Sequence, residues 1–456
     1  MSNIQSKVAS LSQAAITNAK VYKHLMPLLI IVYIVSFIDR TNIGIARASM
    51  SIDLGLSATA YGLGAGLFFL TYSTMEIPSN LIMARVGARF WITRIMITWG
   101  LISAGMAFVT GPVSFYVMRL LLGAAEAGLY PGIILYLTYW FGRQERARAV
   151  GMFLLGVCIA NIIGAPLGGA LLMLDGVGGL HGWQWMFIVE GVPAVLLAFY
   201  VYAVLPDRPR DAKWLTPEDV NYIETTLESE RPVGVDRDQK FSFKTAFTNK
   251  TFLLIVAIYF THQISVYSLT YFLPSIIRNY GEMSTFTLGL LTAIPWIAAA
   301  LGGFFLPKYA NTAKRSQTML ISGFMSMAIG FVIGALGGPV LGLIGFCIGA
   351  SMFFVVQSII FTYPATLMSG NMLAGGLGLL ACLGITGGFV GPYVFGLLED
   401  MTGSPGAGLW FAVALLACAT IGAAVVKQPP SAKENQNESG NAPSVPNDAP
   451  VTEQRG

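Results

Sequence analysis

Residues 25–45 read "LMPLLIIVYIVSFIDRTNIGI", an apolar run in which an aspartate, Asp39, stands beside an arginine, Arg40. About 20 apolar residues are what a helix needs to cross the roughly 30 Å hydrocarbon core of a bilayer. At 1.5 Å per residue, Asp39 and Arg40 then stand roughly 21 Å past Leu25, well inside the hydrocarbon. A charge near the bilayer centre costs about 2.5–3.5 kcal/mol on insertion scales, so each of the two must face a partner or a wet cavity. Asn42 adds a neutral donor and acceptor one turn on.

The rest of the chain agrees with a lipid solvent. Of 456 residues, 55% are hydrophobic and 11% charged, against roughly 25% charged in soluble proteins. The 51 glycines suit membrane helices, whose backbones they allow to approach closely. A net charge of +4, carried mostly in loops, reads as orientation information and excludes a nucleic-acid footprint. Cys158, Cys347, Cys382 and Cys418 lie singly in apolar segments without a neighbouring His, so neither disulfides nor a metal site is expected. The loops show no DxxD or HxxH cluster, which argues against an enzyme, and no cofactor is expected. The polar N-terminus lacks the apolar core of a removable signal.

Twelve apolar segments recur, at about 25–45, 58–82, 91–110, 114–140, 149–173, 184–205, 251–274, 286–307, 317–336, 339–363, 373–398 and 407–426. They predict an all-α membrane protein with twelve spans, since isolated lipid-facing strands leave backbone groups unpaired. Basic residues gather on alternate loops, at Arg85 and Arg89, at Arg143, Arg146 and Arg148, and at Lys308, Lys314 and Arg315. That bias places these loops, and with an even number of spans both termini, in the cytoplasm. The polar stretch 206–250 divides the chain into a cytoplasmic segment 1–24, a six-helix half 25–205, the central loop itself, a second half 251–426, and a tail 427–456 of disordered composition. Within the loop, Thr216 as N-cap and Pro217 as first helical residue predict a short surface helix. "GAPLGG" (Gly164 to Gly169) in span five answers "VGPYVFG" (Val390 to Gly396) in span eleven, a repetition that implies two bundles about a pseudo-two-fold axis with a site between them.

Span four, "YVMRLLLGAAEAGLYPG", holds Arg119 and Glu126 seven residues apart. On a continuous helix both project on one face, with Tyr130 one turn further along it. A carboxylate there can bind and release a proton, and Asp39 can do the same. Arg40 and Arg119 are fixed cations whose forked donors suit a carboxylate, so the expected guest is an anion. Tyr72, Asn42, Gln357 and Tyr267 are candidate substrate contacts; Tyr72 shares a face of span two with Glu76. Glu190 in "WMFIVEGVP" reads as a tether between helix ends near a loop, and His262 as a hydrogen-bonded packing residue. Hydroxylated, aromatic and short dicarboxylic acids all remain open.

Several motifs together resemble the major facilitator superfamily, and within it the anion:cation symporter family of bacterial permeases for galactonate, tartrate, rhamnonate and 4-hydroxyphenylacetate. They are "FIDRTNIGIA", "RVGARFWI", "RLLLGAAEAGLYPG", "RARAVGMF", "GWQWMFIVEGVPA" and "LPDRPRDAKWLTPEDV". The resemblance implies a twelve-helix major facilitator fold and proton-coupled symport of a small organic anion by a monomer in a bacterial inner membrane. It implies proton coupling at Asp39 and Glu126, and substrate binding at Arg40, Arg119 and Tyr72. Two departures stand out. Asn80 and Ala84 occupy the glycine and aspartate positions of the loop after span two, and Ala381 and Ile385 stand where sugar-acid members often carry asparagines.

Overall fold

The computed structural model describes residues 2–230, 243–368 and 370–426; the expected tail 427–456 and part of the central loop lie outside the described residues. The regular structure described is helical throughout. In the first half, α1 (Ser2–Leu54), α2 (Ala58–Val86), α3 (Ala88–Gly105), α4 (Pro112–Glu126), α5 (Leu129–Leu137), α6 (Arg143–Leu171) and α7 (Gly182–Val204) follow one another. The central loop carries α8 (Pro217–Ser229) and α9 (Phe243–Thr248). The second half comprises α10 (Lys250–Arg278), α11 (Thr285–Phe305), α12 (Ala313–Leu336), α13 (Gly338–Ala350), α14 (Phe353–Ile360), α15 (Pro364–Leu367), α16 (Gly370–Ile385), α17 (Gly387–Thr402) and α18 (Ala407–Val425).

Eleven helical segments among the described residues are long and apolar enough to cross a membrane, α4 with α5, α13 to α15 and α16 with α17 each counting as one. The twelfth is α2, 29 residues long, whose Gly, Ser, Thr and Tyr content makes it less apolar. One side of α2 packs on α4 and on α17, while Leu70, Met75, Ile77 and Leu81 are exposed.

Spans expected to be continuous are broken where the backbone demands it. Span four parts after Glu126, where Gly128 takes φ +90°, a left-handed conformation that glycine adopts without strain. Pro131, in the first turn of α5, could not have donated to a helix continuing through this point. Tyr130 therefore does not extend the Arg119–Glu126 face; it stacks near Tyr33 and Phe153 instead. Span ten parts at Ser351 and again before Pro364, and span eleven parts at Thr386. Helix α1, by contrast, begins well before and ends well after the expected 25–45.

The two halves meet through α2 against α17, α6 against α11, and α1 against α10. A two-fold axis exchanging span n with span n+6 turns the first of these contacts into the second, and the two glycine-rich stretches take equivalent parts in them. The Gly66 Cα lies against the Phe389 carbonyl, and Gly289 against the Ala165 backbone. Both α2 and α11 start from a serine N-cap, Ser57 accepting from Ala60 N and Ser284 from Thr287 N. Polar contacts between the halves gather at the end remote from the central loop. Arg47 Nη2 meets Glu399 Oε2 at 2.7 Å, Asp400 accepts from Ala58 N and Thr59 N, and Thr285 donates to Gly169 O.

The central loop is clasped to the first half. Thr216 caps α8 as expected, and Asp219 beside it binds Lys20 and the Thr17 hydroxyl on α1. Trp214 stacks between His24 and Trp140. The turn lacking the usual aspartate has acquired another: Asp207 Oδ1 accepts from Arg89 N at 2.9 Å, at the start of α3.

Candidate functional site between the halves

Helix α1 presents two polar faces. Ser36 and Arg40, one turn apart, look toward α2, α4 and α10; Asp39, about 100° round the helix from Arg40, looks toward α3, and Asn42 toward α7 and the interface. Adjacent in sequence, Asp39 and Arg40 are thus served by different partners.

Arg40, 3% exposed, forms an ion pair through Nη2 with Glu126 Oε1, and Ser36 Oγ donates to the same oxygen at 2.6 Å. The guanidinium carbon lies 4.7 Å from the Phe37 ring centre, 5.3 Å from Phe68 and 4.8 Å from Tyr72. Tyr72 and Tyr267 also reach it, Tyr267 being packed on Phe69. Glu126 owes its position to the helix break, being the last residue of α4.

Arg119, fully buried, turns away from Glu126. Its Nε and Nη2 donate to the carbonyls of Gly64 and Ala65 on α2, and Tyr271 stands beside it. The Arg119 guanidinium carbon is 5.0 Å from the Phe68 ring centre, so one ring is flanked by both arginines. Each keeps a nitrogen without a described partner, Nε on Arg40 and Nη1 on Arg119. Fixed cations with spare donors are what a carboxylate requires.

Asp39 is enclosed in the first bundle, Oδ2 accepting from Trp99 Nε1 at 2.8 Å and Oδ1 from Ser103 Oγ at 2.7 Å. Asn42 faces Glu190 and also lines a cavity of about 20 Å³ between the halves, with Thr41, Asn161, Thr270, Thr292 and Trp296 among its walls. His262 is bonded at both ring nitrogens, to Gln263 and to the Phe353 carbonyl. Gln357, half-buried on α14, takes no part in the Arg40 hydrogen bonds described. Ser36, four residues from Arg40, and Trp99 with Ser103, also four apart, are site residues that the sequence marks only by that spacing. No group of three or more His, Cys, Asp or Glu side chains gathers as a metal site among the described residues.

The Major Facilitator Superfamily profile matches residues 29–384. A quinolone resistance transporter of Acinetobacter baumannii is 39% identical over 85% of this chain and 89% of its own length. A putative tartrate transporter of Agrobacterium vitis is 36% identical over 88% of this chain and 89% of its own. In fold, the chain is similar to the crystal structure of a bacterial homolog of the human lysosomal transporter Spinster, with a TM-score of 0.69 at 18% identity over 89% of this chain and 97% of that one. With its spans in two related bundles and an interface holding buried charges, the chain belongs to the major facilitator superfamily and is a multi-pass membrane transporter, not an enzyme.

Proposed function

We propose that the protein carries a small organic anion, a sugar acid or related carboxylate, into the cell together with protons, the two halves rocking about the Arg40 site. The observation that carries this reading is the Arg40–Glu126 pair, shared with Ser36, at the meeting of α1, α4 and α10. A proton on Glu126 releases Arg40, and an anion then takes the place of the carboxylate. By linkage, protons and anion tighten each other's binding. Arg119 supplies the second fixed cation, Tyr72 and Tyr267 the flanking hydroxyls, and Asp39 a second proton site. The name of the Agrobacterium vitis relative supports a carboxylate cargo.

Under positive-inside orientation both termini and the central loop are cytoplasmic, and the closed end bearing Arg47 and Glu399 is periplasmic. One chain contains the whole pathway, so a monomer suffices, with six-helix units over 25–205 and 251–426. Each net positive charge moved inward gains about 2.3 kcal/mol per 100 mV, so two protons with a monoanion make the cycle electrogenic. A second reading, export or exchange of an aromatic acid, draws on the rings of Phe37, Phe68 and Tyr72 around Arg40 and on the Acinetobacter baumannii relative's name.

The test is thermal stabilisation of the purified protein by sugar acids, aromatic acids and dicarboxylates at two pH values, with Arg40→Ala as control. One acid class raising Tm more strongly at lower pH, and not in the variant, is the expected result. Stabilisation by neutral or cationic compounds alone sinks the anion reading.

A further inference from the structure

Glu190 sits in the middle of α7, not near a helix end, so the tether expected from its sequence context is not what it provides. It is 5% exposed, and neither carboxyl oxygen closes a hydrogen bond of ordinary geometry among the described residues. The titratable group facing it is Asp39, and its polar neighbour is the Asn42 amide, both on α1. Next to it, Gly191 packs on the Gly100 and Ala104 backbone of α3. Among the described residues no cation faces it; Arg40 is turned to Glu126, and Arg119 to α2. An ionised carboxylate held unpaired out of water costs several kcal/mol, so at this place the side chain stands as the neutral acid with a proton to give.

Asp39 poses the complementary problem. Both of its oxygens are occupied by Trp99 and Ser103, it is 1% exposed, and it is not among the residues lining the cavity between the halves. Asn42 is the link: it lines that cavity on one side and faces Glu190 on the other. The cavity, at about 20 Å³, exceeds the roughly 10–15 Å³ that one water needs. The hydroxyls of Thr41, Thr270 and Thr292 donate to carbonyls of their own helices, so the lone pairs of their oxygens remain to hold a water or hydronium there.

We infer that Glu190 is a proton-binding relay through which protons from the interface cavity reach Asp39. The Glu190 O–H bond breaks as one forms on Asp39, leaving Glu190 a carboxylate. A hydronium in the cavity, admitted as the Asn42 side chain turns, gives its proton to Glu190 and is left as water. This rests on the proton-coupled reading above, in which Asp39 takes up a proton in each cycle.

The experiment is infrared spectroscopy of the full chain in lipid nanodiscs, transferred from H2O to D2O at acid pH. The protonated-carboxyl band missing in Asp39→Asn belongs to Asp39. In Glu190→Gln its exchange with deuterium is expected to slow about a hundredfold, the lower range for losing a positioned proton-transfer group. Glu190→Asp should recover much of the rate, and Glu190→Gln should keep the wild-type Tm, because an amide replaces a neutral acid. Wild-type exchange of the Asp39 band in Glu190→Gln overturns the relay, as does the absence at acid pH of any band that Asp39→Asn removes. A wild-type protein that moves no organic anion under a pH gradient sinks the transport reading instead, and is recognised separately from the exchange rate.

Discussion

Glu126 is held by Arg40 across the contact of α1 with α4, and not by Arg119, which precedes it by seven residues on its own helix. On the proposed reading, substrate and proton converge on one guanidinium. In the wild type, anion affinity should rise as pH falls, since a protonated Glu126 releases Arg40. Glu126→Gln should bind the anion with little pH dependence and, at alkaline pH, about tenfold more tightly, a gain of about 1.4 kcal/mol. Calorimetric titration across pH checks this; a wild-type slope in the variant would remove Glu126 from the coupling.

Arg40 and Arg119 differ in what they hold. Arg119 joins α4 to two carbonyls of α2, so Arg119→Ala should lose about 1.5–3 kcal/mol of stability along with anion binding. Arg40→Ala should lose binding while leaving the bonds between Arg119 and α2 in place. Melting curves of the two variants with and without ligand separate these effects.

Arg47 and Glu399 latch the end remote from the central loop. Glu399→Gln should shift the protein toward opening there, raising the labelling rate of a cysteine placed at Thr270, which is buried and lines the cavity between the halves, by an impermeant thiol reagent, in a background without native cysteines, by a few-fold to about tenfold. Gly62→Val should act in the same direction and further, as a side chain at Gly62 meets the Pro392 carbonyl. Unchanged labelling in both would mean that this contact does not gate access.

Burial acts to raise the Asp219 carboxyl, but hydrogen bonds from Lys20, Thr17 and Thr216 outweigh it and hold the group below the usual carboxylate range. A depressed folded value gives stability that is fully present above the unfolded value of about 3.9 and is lost as pH falls through the folded one. Asp219→Asn should therefore lower Tm at neutral pH, with the gap to wild type narrowing below about pH 4. A gap that stays constant on acidification would refute the ionic clasp.

Much of this arrangement was legible because the bilayer makes apolar length an almost sufficient signal. The twelve spans, the central loop with its Thr216 cap, and the buried charges of spans one and four all follow from counting apolar residues and pricing charges in lipid. What escaped depends on direction and on contacts distant in sequence. A run containing Asp39 and Arg40 does not say that one turns to α3 and the other to α4. The segment around Gly128 reads as unbroken until its backbone is seen. Ser36 and Trp99 look like filler in apolar stretches, and the aspartate missing from the turn after α2 is replaced from more than a hundred residues away by Asp207.

That replacement bears on where the gene can be divided. Tyr136 donates to the Pro206 carbonyl, Asp207 secures the start of α3, Trp214 and Asp219 rest on α1 and its surroundings, and Glu230 accepts from Arg143 N. Every one of these attachments is to the first six spans. Two separately expressed polypeptides should thus reassemble into an active carrier when the break falls between Glu230 and Phe243, whereas a break at Leu205 strips the first fragment of its own cytoplasmic fastening.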